Sequence, residues 1–181
     1  MSKRGLVITV AGPHGSGRTA QAMKLAETFN LRYISTGTLF RERAQQLGVS
    51  LSELSKIAAS DDTLDRFLDD RARLETRRGG AVLDATLSGL VAVDPDIRIY
   101  LTAPLDVRVR RIAEREKRSI SEVEEETRHR EKVEDERFRR YYGYDLKDLS
   151  IYDIVLNTAI ADVDGVANIL KNVVEAYIGE R

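Results

Sequence analysis

Gly12-Pro13-His14-Gly15-Ser16-Gly17-Arg18-Thr19 follows the apolar run Leu6-Val7-Ile8-Thr9-Val10 and precedes Ala22, Leu25, Ala26 and Phe29, which recur at helical spacing. Strand, glycine-rich loop and helix in that order make the setting of a phosphate-binding loop. Successive backbone N–H groups of such a loop point inward, and the positive end of the helix adds to their pull on phosphate oxygens. Thr19 is placed to put its hydroxyl on Mg²⁺. The pattern calls for lysine where this chain has Arg18. Arginine keeps the charge and can fork onto phosphate, but it is planar and bulkier, so the exchange is not conservative. A glycine-rich turn with no ligand is the alternative; spacing, context and Thr19 all favour phosphate.

The chain has 181 residues, enough for a single domain with a sizeable core. Its formal net charge is −1, from 29 basic and 30 acidic residues, so no global basic character argues for a nucleic-acid or membrane partner. Arginine dominates the basic set, 22 against 7 lysines. That suits phosphate recognition and equally the surface habit of a heat-adapted or GC-rich source. Cysteine is absent, which excludes disulfides and thiol chemistry and fits a cytoplasmic protein. The leading apolar run, about five residues long, is neither a signal peptide nor a membrane span.

Further strands are expected at 31–35, 81–86, 97–102 and 152–158, alternating with helices. The fold class is therefore α/β: a five-stranded parallel sheet with helices on both faces. A helical insert is read at about 36–78, with Ser50 or Ser52 capping one helix over Leu51, Leu54, Ile57 and Ala58. Asp61 or Asp62 caps the next, whose stripe is Leu64, Phe67 and Leu68, and Asp65, Asp69 and Asp70 read as its wet face. Arg41 and Arg43 stand near the start of the insert, either in solvent or, for Arg41, aimed at a second phosphate-bearing ligand.

Asp84 closes the third strand, at the end of the sheet where ligands gather. It is a candidate to hold Mg²⁺ through water or to orient the nucleophile, against the plainer reading of an aspartate in a turn. After Pro104, Val107, Ile112 and Ala113 read as inward, with Arg108 and Arg111 sharing another face. From 119 to 142 apolar residues are too sparse for a buried stripe, and Ser121 with Glu124 reads as a capping box. Arg130, Glu134 and Arg137 lie on one face of this segment. Spacing alone suggests an exposed helix laced by Glu126–Arg130, Arg130–Glu134 and Glu136–Arg140 pairs. A phosphate loop elsewhere in the chain makes an arginine-bearing lid the better reading.

These parts together resemble the nucleoside monophosphate kinases and, within them, the archaeal-type cytidylate kinases. The resemblance covers nearly the whole chain. It rests on Gly12 to Ala20, on Ser35-Thr36-Gly37 with Phe40-Arg41, and on Ala103-Pro104-Leu105 with Arg108 and Arg111. It rests also on Arg130-Glu131, Glu134, Arg137 and Tyr141-Tyr142-Gly143, and on Asp148 to Asp153 leading to Asn157-Thr158. The resemblance implies one kinase domain over 1–181, with a monophosphate-binding insert at about 36–78 and a lid at about 119–142. It implies transfer of the ATP γ-phosphate to CMP or dCMP with Mg²⁺, by a cytoplasmic monomer whose partners are nucleotides.

By motif match, Gly12, Pro13, His14, Gly15, Ser16, Gly17, Arg18, Thr19 and Ala20 would hold ATP, with Thr19 and Asp84 on the metal. Ser35, Gly37, Arg41, Arg111, Arg130, Glu134 and Arg137 would bind the acceptor: the four arginines hold phosphates and Glu134 contacts the sugar. Arg18, Asp84, Arg130 and Arg137 would carry the chemistry. The chain departs from the family pattern at Arg18 and again after Asp84, where Ala85 and Thr86 replace a glycine and an arginine. If the exchange at 86 is a handicap, an arginine restored there is expected to raise activity toward CMP. Two rivals stay open at this point: a kinase of another monophosphate, and a degenerate P-loop protein that binds nucleotide with little turnover.

Overall fold

The computed structural model describes residues 5–50, 53–54 and 63–179. The caps and stripe read at Ser52, Asp61, Asp62, Leu51, Ile57 and Ala58 lie outside the described residues. Five strands, β1 (Val7–Ala11), β2 (Arg32–Ser35), β3 (Ala81–Asp84), β4 (Ile97–Thr102) and β5 (Ile154–Asn157), form one sheet in the order β2-β3-β1-β4-β5. Every pairing is parallel; Val7 stands opposite Ala81, and Ile8 opposite both Val82 and Ile97.

The helices are α1 (Arg18–Thr28), α2 (Thr36–Leu47), α3 (Thr63–Arg77), α4 (Ser88–Val91), α5 (Leu105–Glu116), α6 (Ile120–Tyr142) and α7 (Val163–Gly179), with a 3-10 turn at Thr158–Ile160. Adjacent strand residues point to opposite faces. Val82 accordingly joins Ile8, Leu25, Ile99 and Leu170 on the α1/α7 side, while Leu83 joins Leu39, Leu68 and Phe138 on the other. That places the sheet between two apolar layers, as the continuous apolar reading of β1 requires. Because β3 and β4 flank β1 on either side, the chain order reverses beside the loop that follows β1, the position where open parallel sheets take ligands. Among the described residues, no helix is long and apolar enough to cross a membrane.

α2 begins at Thr36, where the Ser35 hydroxyl accepts from the Thr38 N–H at 3.0 Å and caps it. Two local readings need correction. The capping box of α6 is Ser119 with Glu122 rather than Ser121 with Glu124. Val109, not Val107, faces the core of α5, and Arg108 is buried beside it. Ser50 does cap as read: its hydroxyl accepts from the Glu53 N–H at 3.2 Å while Glu53 Oε2 accepts from the Ser50 N–H at 2.8 Å.

Candidate active site

The loop between β1 and α1 is built on glycines that no other residue could replace at two points. Gly12 has φ 143°, and a Cβ there would stand 2.1 Å from the Leu101 carbonyl oxygen of β4. Gly15, at φ 78°, packs so closely on α5 that a Cβ would meet the Arg108 carbonyl oxygen at 2.6 Å. Arginines fasten the loop from below. Arg108 donates from Nε to Ala103 O and from Nη1 to His14 O, each at 3.0 Å. Arg111 donates to Thr158 Oγ1 at 2.8 Å and to Thr158 O at 3.0 Å, with a long contact to Gly15 O at 3.5 Å.

Asp84 is the polar centre. It is 3% exposed and accepts three hydrogen bonds, from Arg18 Nε at 2.5 Å, Thr19 Oγ1 at 2.8 Å and Tyr33 OH at 2.8 Å. Burial and the neighbouring Asp84 charge raise the Tyr33 hydroxyl above its ordinary range, so it stays a donor. Thr19 and Asp84 thus present hard oxygen atoms side by side beneath the loop. Mg²⁺ keeps several waters and takes one or two protein oxygens together with substrate phosphates, so this donor set suits it.

Two cavities open on the loop. One, of about 410 Å³, lies between the loop and α5, and is lined by Gly15, Gly17, Thr19, Ala20, Met23, Ile112, Arg115 and Thr127 among others. The second, of about 440 Å³, lies under the insert, between Thr36, Gly37 and Phe40 of α2, Asp65, Leu68 and Asp69 of α3, Thr86, and Glu134, Arg137, Phe138 and Tyr142 of α6. His14, Arg18 and Arg130 line both. Ser35, Arg41 and Arg111 line neither: Ser35 caps α2, Arg41 is exposed with Nη2 donating to Thr38 Oγ1 at 3.2 Å, and Arg111 sits under the loop.

α6 is not polar throughout. Val123 and Thr127 are buried near its start, where Val123 packs with Val109, Ile112 and Ala113 of α5; Phe138 near its end packs into the insert's core. The stretch between these anchors spans the cavities. The three ion pairs read from spacing do not form: Glu126 goes to Arg118 at 2.5 Å, Glu134 to His14 at 2.9 Å, and the Arg140 guanidinium lies over the Tyr141 ring, 5.7 Å from its centre. Burial pushes the Glu134 carboxyl up, but the hydrogen bond to His14 and the charges of Arg130 and Arg137 more than offset it and leave the carboxyl below its ordinary range. Glu131 pairs with Arg108 of α5, so α6 is tied to the loop directly through His14 and to α5, which itself holds the loop, through Arg108.

Sequence reasoning missed the wall opposite the arginines. Asp65 and Asp69 are not a wet face: Arg137 Nη1 lies 3.5 Å from Asp65 Oδ2, and Tyr142 OH donates to Asp69 Oδ2 at 2.5 Å. The usable signal was their position directly after Leu64 and Leu68, which turns both carboxylates toward the same side as the apolar stripe. Burial pushes the Asp69 carboxyl above its ordinary range, and the Tyr142 hydrogen bond and Arg73 only partly oppose this. A carboxyl raised in the folded state contributes stability below its unfolded value and loses it as pH rises. Asp69→Asn, which does not ionise, is therefore expected to raise the Tm at pH 7, with the gain vanishing as pH falls through the ordinary carboxylate range. Thermal unfolding of both proteins across pH measures this; a gain independent of pH would mean that ionisation of Asp69 is not its source.

The profile of the cytidylate kinase-like family matches residues 74–160. A cytidylate kinase of Staphylothermus marinus is 45% identical over 176 residues, 97% of this chain and 99% of that protein. One of Ignicoccus hospitalis is 42% identical over 166 residues, 91% and 96% of the two chains. Among solved structures, a shikimate kinase from Acinetobacter baumannii superimposes with a TM-score of 0.62 over 95% of this chain and 94% of that one, at 16% identity, a likeness of fold alone.

Proposed function

The chain belongs to the cytidylate kinase family, and from that membership we infer its reaction: the γ-phosphate of ATP passes to CMP, giving ADP and CDP, with dCMP as a second acceptor. The observation that carries the inference to these residues is the pair of cavities sharing His14, Arg18 and Arg130. A donor and an acceptor in those cavities would meet at the guanidinium groups of Arg18 and Arg130, and phosphoryl transfer needs little else than alignment and neutralised charge.

We assign ATP to the loop side, its phosphates on the backbone N–H groups of residues 12–20. Thr19 and Asp84 would hold Mg²⁺, which when bound would neutralise phosphate charge. CMP is assigned to the cavity under the insert. The cytosine amino group is a hydrogen-bond donor where uracil has an acceptor, and the carboxylates of Asp65 and Asp69 on that wall suit the donor. Arg137 and Arg130 neutralise the acceptor phosphate and the group in flight. α6 stands over both cavities and excludes water, the competing nucleophile.

Arg111 and Arg41 take lesser parts in this reading: Arg111 supports the loop, and Arg41 stands beside Gly37, which lines the acceptor cavity, without lining it itself. The enzyme is taken as a cytoplasmic monomer, with insert and lid as parts of a single kinase domain; elution as one chain in size-exclusion chromatography checks the monomer.

The reaction is tested by ADP formation from Mg·ATP with CMP, dCMP, UMP and AMP offered separately. CMP and dCMP are expected to give the highest kcat/KM. A clear preference for UMP or AMP would reassign the acceptor, and no turnover with any would reduce the protein to a nucleotide binder.

A further inference from the structure

Arg18 is held in a way that a phosphate-loop lysine could not be. Nε donates to Asp84 Oδ1 at 2.5 Å, and Nη1 donates to Gly12 O at 2.7 Å and to Thr86 Oγ1 at 3.2 Å. A guanidinium is rigid and planar, so fixing two of its nitrogens fixes the third. Nη2 makes no hydrogen bond among the described residues and keeps both N–H groups. Arg18 lines both cavities, whereas Thr86, half-buried, lines only the one under the insert. Asp84 and Gly12 O hold the guanidinium from the strand side, and Thr86 holds it from the acceptor side.

We propose that Thr86 is a positioning residue for Arg18: its hydroxyl takes the Nη1 N–H that Gly12 O leaves and, together with Asp84 and Gly12 O, holds the plane of the guanidinium from the acceptor side, so that Nη2 presents two donors to the phosphoryl group passing between the cavities. The proposal rests on the kinase reading above and deepens it. An ammonium at 18 would be a point charge on a flexible stem with no plane to lock, so Thr86 matters only while residue 18 is arginine. An arginine at 86 would bring a second cation against the first, so Thr86→Arg lowers turnover, the reverse of what the family pattern suggests.

The test is a double-mutant cycle in the full-length enzyme, reading kcat and both KM values for ADP formation with CMP. Thr86→Val keeps the shape and removes the hydroxyl. In the wild-type background it is expected to lower kcat about tenfold, the scale of one hydrogen bond to a charged group, with KM for ATP and CMP within about twofold. Thr86→Ser should recover most of the loss. In the Arg18→Lys background the same valine substitution should change kcat less than about twofold. An equal loss in both backgrounds, or a raised KM for CMP at unchanged kcat, would overturn the proposal by making Thr86 act without Arg18. If the wild type prefers another monophosphate, the cycle is run with that acceptor; coupling there sustains the proposal while the CMP assignment alone fails. No turnover with any acceptor overturns both.

Discussion

Arg130→Ala is expected to lower kcat by about 10³-fold, the scale of an arginine that stabilises a transferring phosphoryl group, while leaving the fold intact. Arg130 is exposed, lines both cavities and makes no hydrogen bond or ion pair among the described residues. Its removal therefore breaks no hydrogen bond or ion pair in the resting protein and takes away only a through-space attraction to the Glu134 carboxylate, so the Tm should move little more than an exposed substitution moves it, about 0.5 kcal/mol of stability. That combination separates a role in the transition state from a structural one. Most of the loss should appear in kcat rather than in KM, because an interaction made only with the group in flight lowers kcat and kcat/KM together. Arg130→Lys keeps charge but not the planar fork, and should recover only part of the rate. A loss under about tenfold would remove Arg130 from the path of the phosphoryl group and leave Arg18 and Arg137 as the cations there.

The contrast with Arg108 shows why side-chain type alone did not rank the arginines. Both belong to family motifs and both stand near the loop. Arg108 is buried, with its donors spent on Ala103 O, His14 O and Glu131, so its replacement should damage the loop itself. Local spacing carries no information about such partners, which lie 5 to 94 residues away in sequence. What the sequence did carry was local and periodic. The apolar run of β1, the glycines after it and the alternation of strands and helices implied the parallel sheet. The loop, Asp84 at a strand end and the arginine face of α6 were legible for the same reason.

What stayed hidden was pairing between distant elements. Asp69 meets Tyr142 across 73 residues and Arg18 meets Thr86 across 68, and no periodicity connects either pair. The two departures from the family pattern looked like separate losses when read along the chain. In the fold they touch.

Asp84→Asn should combine the second large loss of turnover with a loss of stability. The carboxylate serves Arg18, Thr19 and Tyr33 at once and is the anion nearest the Arg18 guanidinium, to which Nε donates at 2.5 Å. An asparagine keeps the shape, and the hydroxyls of Thr19 and Tyr33 can turn to accept from its amide, so the hydrogen bonds are largely replaceable. The charge is not. Removing one partner of a buried ion pair costs about 3–5 kcal/mol, and because the Arg18 side chain retains 17% exposure the lower end applies. Turnover should fall on the order of 10²–10³-fold, the effect of removing one preorganised charge-stabilising group. The Mg²⁺ concentration for half-maximal rate should rise, since Thr19 would be left as the only assigned protein ligand. Tyr33→Phe provides the comparison: it removes one hydrogen bond from the same carboxylate without touching the charge, and should cost about 1 kcal/mol of stability with little change in Mg²⁺ dependence. If Asp84→Asn destabilises but keeps the wild-type Mg²⁺ dependence, Asp84 is a support for Arg18 and the metal must be held elsewhere; if both change, the carboxylate orders the loop arginine and holds the metal at one point.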